Sequence, residues 1–223
     1  MKTSIGAYSL VTVLFASTLF AQEYPTVTFH YSYIPFDRSC AKFTEFEIKE
    51  EWIEELYVKM DTLQGLWNHQ GPTLLQNTVN IVGKSFLKKE VHATMTLCKF
   101  GSMSHPFLLS MRKYLSTATG DDPRPNYHFV GTVFHEILHI YVFDLLKDKE
   151  NVPLLEKYGD EPNSVRNHLH LMALFKKAYL QAGMKKELEG MTERYVALDG
   201  IYGRAWEIVD HLEDHEDFIE ELK

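Results

Sequence analysis

Hydrophobic and polar positions alternate in two short stretches of the chain. Residues 26–34 and 91–97 place apolar or aromatic side chains at every second position and are rich in β-forming residues, which is the pattern of half-buried strands. Residues 106–114 are apolar without clear alternation, and this run fits either a strand or a helix. The sequence therefore predicts a small sheet built from the first half of the chain.

Elsewhere apolar residues recur every three or four positions, which is the spacing of amphipathic helices. It predicts helices over residues 43–67, 164–181, 185–195 and 204–222, the last with a very acidic outer face. Gly71 and Pro72 predict a break, followed by a short second helix over residues 73–82. Turn-forming residues predict loops or turns in the remaining segments, which are 101–105, 117–126, 148–163 and 200–203.

The stretch from 127 to 146 differs from the other helical segments because it has almost no polar face. Apart from His128, Thr132, Asp144 and one short motif, its residues are apolar, which predicts a helix buried on most sides. With the strands above, this segment predicts an α+β fold.

The N-terminus has the layout of a secretory signal peptide. Lys2 precedes a mostly apolar stretch at 10–20, and the small residue Ala21 precedes polar Gln22 and Glu23. A membrane-spanning helix needs roughly 20 apolar residues, so a cleaved signal is favoured over a retained anchor. We expect residues 1–21 to be a signal peptide and 22–223 to form a single domain that is secreted or periplasmic and makes no membrane contact after cleavage.

Charge and cysteine content narrow the classes of function. The formal net charge is −8, and no basic patch is evident, so nucleic acid is not expected as a partner. Cys40 and Cys98 are the two cysteines of the mature chain; either they form a disulfide or they are separate buried thiols. Neither belongs to a C-x-x-C pair, which argues against thiol redox chemistry and a cysteine-rich zinc site.

The motif inside the apolar helix reads F-H-E-I-L-H-I at residues 134–140. His135 and His139 lie one helical turn apart on one face, so both imidazoles can reach one ion. Glu136 lies beside them and can accept a proton from water acidified by zinc. Core histidines that hydrogen-bond each other are the alternative, but burying three polar side chains in an apolar helix is costly without such a role.

These residues resemble the active-site helix of the zincin metallopeptidases. The resemblance implies a zincin-like fold, in which a small twisted β-sheet packs on the active-site helix and the C-terminal half is mostly helical. It also implies an edge strand that holds substrate in extended form, and residues 91–97 match that strand by position and pattern. The metzincin extension is absent, because Val142 and Leu145 stand where that group has glycine and histidine.

A catalytic Zn²⁺ needs a third protein ligand. His168 is favoured because it shares a helix face with Val165 and Met172, whereas His170 lies about 200° around that helix. Glu207 is a further candidate because A-W-E-I-V-D resembles the glutamate-bearing helix of gluzincins. The complete set of candidates is His168, His170, Glu156, Glu161 and Glu207.

An oxyanion stabiliser is also expected near the metal. Tyr202, in the predicted turn G-I-Y-G, is the first candidate, with Tyr195 and His211 behind it. His105 and His128 are interpreted as an ordinary loop residue and an ordinary helix-start residue.

The sequence thus predicts an exported zinc-dependent hydrolase, a metallopeptidase acting on peptides or proteins. His135, His139 and His168 hold Zn²⁺, Glu136 is the general base and Tyr202 stabilises the oxyanion. The alternative is a zincin-like metal-binding or scaffold protein without peptidase activity. Glu136 favours the enzyme, because a purely structural zinc has no use for a base beside it.

Overall fold

Four strands of the computed structural model form one mixed sheet in the order β1-β2-β4-β3. The structure describes residues 22–120, 122–197 and 200–223, so the predicted signal peptide, residues 1–21, lies outside the described residues. The strands are β1 (Thr26–Tyr31), β2 (Glu90–Thr96), β3 (Met103–Ser104) and β4 (Phe107–Ser110). β1 and β4 each pair with β2 in parallel, and β3 pairs with β4 antiparallel.

The predicted edge strand is an interior strand, and that prediction is wrong. β2 covers most of residues 91–97, and it is hydrogen-bonded on both sides, to β1 and to β4. Val91, Ala93 and Met95 are buried, so the alternation was correctly read as one buried face. A pattern of period two identifies which face of a strand is buried but carries no information about which neighbours flank it. The edges of the sheet are β1 and β3.

The two edges differ in how far they are covered. On β1, the side-chain amide of Gln64 accepts from the Phe29 N–H at 3.0 Å and donates to the Val27 carbonyl at 3.1 Å. These bonds occupy the outward backbone groups that an added strand would need. At β3, no described side chain is hydrogen-bonded to the outer backbone groups of Met103 and Ser104 in the way that Gln64 is on β1.

Helices make up most of the remaining described chain. In chain order they are α1 (Arg38–Thr44), α2 (Glu50–Val82), α3 (Ser116–Thr119), α4 (Asn126–Leu146), α5 (Pro153–Lys157), α6 (Asn163–Gln181), α7 (Lys185–Ala197), α8 (Ile201–Glu207) and α9 (His215–Glu220), with π-helical turns at Tyr33–Asp37 and Ile208–Leu212 and a 3-10 turn at Arg112–Tyr114. The α+β class predicted from the sequence is confirmed.

Helix α4 lies at the centre of the core. It packs on the sheet, where the rings of Phe129 and of Phe29 in β1 are 5.2 Å apart, and on α6, where Phe134 meets Phe175 at 5.4 Å. By length and apolar composition α4 could cross a membrane, but 67% of its most apolar window is buried inside the fold. The sequence predicts a helix over residues 127–146 that is buried on most sides, and the burial of α4 agrees with that prediction.

Helix α2 runs for 33 residues through Pro72, so the predicted break at Gly71 and Pro72 is wrong. A proline inside a helix costs about 3 kcal/mol, since it removes one hydrogen bond and crowds the preceding turn. Here Trp67 before the proline and Leu74 and Leu75 after it are all buried in the core. Burying each such side chain stabilises by roughly 1.5–3 kcal/mol, enough to hold one continuous helix against the local preference.

Gly71 has a packing role that a substitution can test. A Cβ at this position would lie 2.4 Å from the indole of Trp67, whereas a Cβ at Gly65 of the same helix would meet nothing within 4 Å. We expect Gly71→Ala to destabilise the protein by about 1–3 kcal/mol through overpacking. The control Gly65→Ala should stabilise it by about 0.5–1 kcal/mol, because glycine is a poor helix former. Urea unfolding measures both, and equal effects would contradict this packing.

Several other predicted segments differ from the structure. The predicted loop 101–105 contains β3, and the predicted irregular segment 148–163 contains α5. The predicted final helix over 204–222 is instead α8, a π-helical turn and α9, and the predicted turn 200–203 lies mostly within α8. These elements are short, and tertiary packing rather than local periodicity defines them.

The two cysteines form a disulfide, which settles the alternative left open by the sequence. Cys40 in α1 pairs with Cys98, and their Cα atoms are 6.3 Å apart. The carboxylate of buried Asp37 adds a second link between the same segments, accepting from the Thr96 hydroxyl at 2.5 Å and from the Leu97 N–H at 2.8 Å. Together they anchor α1 to the C-terminal end of β2.

Candidate metal centre

Two helices bring three histidines together. His135 and His139 lie one turn apart on α4, and their Nε2 atoms are 3.1 Å apart. His168, from the first half of α6, faces them, with ring centroids 5.2 Å from His135 and 4.7 Å from His139. One potential ligand atom from each histidine lies within 4.8 Å of the others. Three imidazoles at these distances can hold a metal ion.

The hydrogen bonding of His168 fits a metal ligand. Its Nδ1–H donates to the Ser164 carbonyl at 2.6 Å, which leaves the unprotonated Nε2 as the donor atom toward an ion. That Nε2 is buried and has no hydrogen-bond partner among the described residues, and the same holds for Nδ1 of His135. Ligating histidines commonly donate their second ring N–H to a carbonyl, which fixes the tautomer and the ring orientation.

Burial keeps these imidazoles neutral. Desolvation, helped by the neighbouring histidines, holds the pKa of His135 well below its ordinary value and lowers the pKa of His139 to about 3. Desolvation also lowers the pKa of His168. Neutral imidazole is the form that binds metal ions, so metal binding near pH 7 does not require these three histidines to lose a proton first.

Glu136 is the unpartnered acid beside this group. It is 5% exposed, and desolvation raises the pKa of its carboxyl to about 8. No hydrogen bond or ion pair holds its carboxylate within the described part of the chain. A cation nearby favours the ionised form of a carboxyl. A metal ion at the histidines would therefore lower the pKa of Glu136 and leave it as a carboxylate that can act as a base.

Tyr202 lies against the same histidines, although on helix α8 rather than in the predicted turn. Its ring is 4.9 Å from that of His168 and 5.8 Å from that of His135, and Tyr195 stacks on it at 5.1 Å. Desolvation and the charge of Glu136 raise the pKa of Tyr202, which keeps the phenol protonated and able to donate. His211, the third candidate, is exposed on another face, where it lines a separate cleft with Trp206 and Asp210.

The other candidate ligands lie apart from this group. His170 faces away from His168, and its Nε2 contacts the Glu221 carboxylate at 2.7 Å. Glu161 and Glu207 both pair with Arg204, with closest distances of 2.5 and 2.8 Å. Glu156 is exposed on α5. Of the five candidates named from the sequence, the structure brings only His168 to the pair on α4.

A cleft of about 570 Å³ opens beside His139, and sequence reasoning did not find it. His105, interpreted as an ordinary loop residue, lines this cleft, and its charge contributes to the lowered pKa of His139. His128 is buried and its pKa is lowered to about 4, chiefly by desolvation. The cleft lining is Ser104, His105, His139, Val142, Phe143, Leu146, Lys147, Leu155, Arg166, Asn167 and His170.

Comparisons with known proteins add no family to this geometry. The chain matches no protein-family model, and searches of curated proteins and of solved structures return no match. The candidate function therefore rests on the residues and their arrangement alone.

Proposed function

We propose that this protein is a zinc-dependent hydrolase of the zincin type that cleaves peptide bonds. The observation that carries the proposal is the convergence of His135, His139 and His168 on one point, with their donor atoms within 4.8 Å of one another. Beside them lies Glu136, which is buried and has no partner among the described residues. Three histidine nitrogens with an open fourth position are a ligand set of catalytic zinc. A structural zinc site is normally closed by four protein ligands.

The chemistry divides among this chain's own side chains. Zn²⁺, when bound, acidifies water and polarises a carbonyl oxygen. Glu136 takes the proton of the attacking water and later passes it to the leaving amine, as a general base and then a general acid. The Tyr202 hydroxyl donates a hydrogen bond to the oxyanion that forms from the carbonyl oxygen of the substrate. Glu136 is buried and Tyr202 is half-buried, which limits competing water and strengthens these interactions.

The open sheet edge supports a peptide substrate. Strand β3 is antiparallel to its neighbour β4 and contacts α4, and its last residue Ser104 lines the cleft together with His139. An extended peptide that adds to such an edge forms backbone hydrogen bonds independently of its side chains. The zincin resemblance implies this use of an edge strand, and we assign it to β3 in place of residues 91–97.

The proposal is tested by loading the purified protein with one equivalent of Zn²⁺ and incubating it with an unfolded, reduced protein. Mass spectrometry of the products should show new peptides that are absent after metal removal with a chelator and that return on adding Zn²⁺. A protein that binds one zinc tightly and yields no zinc-dependent products would support the metal-binding or scaffold alternative instead.

A further inference from the structure

The cleft beside His139 has an apolar body. Helix α4 contributes Val142, Phe143 and Leu146, and α5 contributes Leu155. Phe143 is 60% exposed, so a large ring faces the open space instead of the core. At about 570 Å³ the cleft has the size of a ligand pocket rather than of a packing defect. Its occupant should therefore have an apolar part that covers these side chains.

One cation in the cleft has no negative partner. Arg166 donates to the Leu155 carbonyl at 3.0 Å and, more weakly, to the Asn163 side-chain oxygen at 3.4 Å. Its Nε is buried without a hydrogen-bond partner, and no carboxylate pairs with Arg166 anywhere in residues 22–120, 122–197 and 200–223. The guanidinium is thus held in place by neutral acceptors while its charge remains uncompensated.

Two other polar side chains that line the cleft have partners. Lys147 pairs with Asp144 at 3.0 Å, and Nε2 of His170 is hydrogen-bonded to the Glu221 carboxylate at 2.7 Å. Glu221 is held further by the Leu154 N–H at 2.8 Å. Arg166 is the arginine that lines this cleft, and a planar guanidinium suits bidentate binding of a carboxylate.

We propose that this cleft binds a substrate residue that carries a carboxylate on an apolar stem, with Arg166 receiving the carboxylate. The inference rests on the proposed function, because His139 lines the same cleft and so places the bound residue next to the reacting bond. Two peptide groups have this chemistry: a C-terminal residue with its free α-carboxylate, and an internal glutamate. Arg166 is then a specificity residue and takes no part in bond cleavage.

Binding tests this without relying on turnover. Isothermal titration calorimetry measures the affinity of the zinc-loaded Glu136→Gln protein for four peptides. Two are acetyl-Ala-Ala-Ala-Leu as the free acid and as the C-terminal amide. The other two are C-terminal amides in which Glu or Lys replaces Leu. We expect an anionic peptide to bind about 10-fold or more tightly than the neutral amide, since charge-assisted hydrogen bonds are the strong ones. If the free acid gains affinity, the source is the C-terminus; if the Glu amide does, it is the side chain.

Substitutions on the same background assign the preference to one residue. Arg166→Met should remove the preference for the anionic peptide, Arg166→Lys should retain part of it, and Arg166→Glu should shift the preference to the Lys peptide. Lys185→Met, which removes an exposed lysine of α7 that does not line the cleft, should leave all four affinities unchanged. Thermal unfolding of each variant checks that the fold is retained.

The outcomes separate this inference from the proposed function. Three results would overturn the assignment of the cleft, even if the wild-type protein hydrolyses peptides. They are equal affinity for the anionic and neutral peptides, a preference for the anionic peptide that survives Arg166→Met, and no binding at millimolar peptide. Conversely, an Arg166-dependent preference in a protein that hydrolyses nothing would support the cleft assignment and leave the peptidase proposal without support.

Discussion

Glu136→Gln is expected to lower peptide hydrolysis by about 10²–10⁴-fold while one equivalent of Zn²⁺ stays bound, because a positioned general base contributes a factor of that size. Glutamine has the same shape as glutamate but accepts no proton. Glu136 has no ion-pair partner in the described residues to lose, and burial already raises its pKa to about 8, so a neutral side chain is tolerated at this position. The measurements are kcat/KM on a quenched fluorescent peptide and zinc content by mass spectrometry.

The matched control is Glu54→Gln, which changes an exposed glutamate of α2 by the same atoms and should keep full activity. Undiminished turnover in Glu136→Gln would exclude its role as the base. Loss of zinc together with activity would instead show that Glu136 helps to hold the metal, contrary to the assignment of three histidine ligands.

The central helix and its motif were predictable because their signal is local. Residues 127–146 are mostly apolar, and the structure begins α4 one residue earlier. The spacing of His135 and His139 then determines that they share one face, whatever surrounds the helix. His168 could be favoured over His170 by the same face argument, since it recurs with the apolar residues of α6.

The continuity of α2 was not predictable from local rules. Gly71 and Pro72 are both strong signals for a helix end. The helix continues because Trp67 packs over Gly71, where a Cβ would collide with the indole. This contact lies within one helix, but it stabilises the helix only because the rest of the core buries the indole. Tertiary burial here outweighs a local cost of about 3 kcal/mol.

The cleft was unpredictable for a different reason. Its walls come from β3, α4, α5 and α6, and two of these, β3 and α5, are shorter than any periodic pattern can reveal. The sequence also does not show which groups contact Arg166, whose described partners are the Leu155 carbonyl and the Asn163 side chain. Sequence can identify residues suited to a metal, but the shape beside the metal depends on how separate segments pack.

The predicted third ligand has the second large expected effect: His168→Ala should abolish the stabilisation that zinc gives the protein. A ligand that binds only the folded state stabilises it by about 4.1 kcal/mol at 1,000 times its Kd. For a chain of this size each kcal/mol shifts Tm by about 2–4 °C, so removing zinc from the wild type should lower Tm by about 8–16 °C. With His168 replaced, Tm should not respond to zinc or to chelator, and the variant should not retain one equivalent of the metal.

His170→Ala is the informative control, because it removes a histidine two positions away that points elsewhere. It breaks the contact between His170 and Glu221 and should cost about 1–3 kcal/mol in the metal-free protein, but it should keep one zinc and the full zinc-dependent shift of Tm. If the two variants exchange these behaviours, the metal is held by the other face of α6 and the orientation of His168 toward α4 is wrong. If both keep the shift, then neither histidine is a ligand, and the third position belongs to a group outside α6.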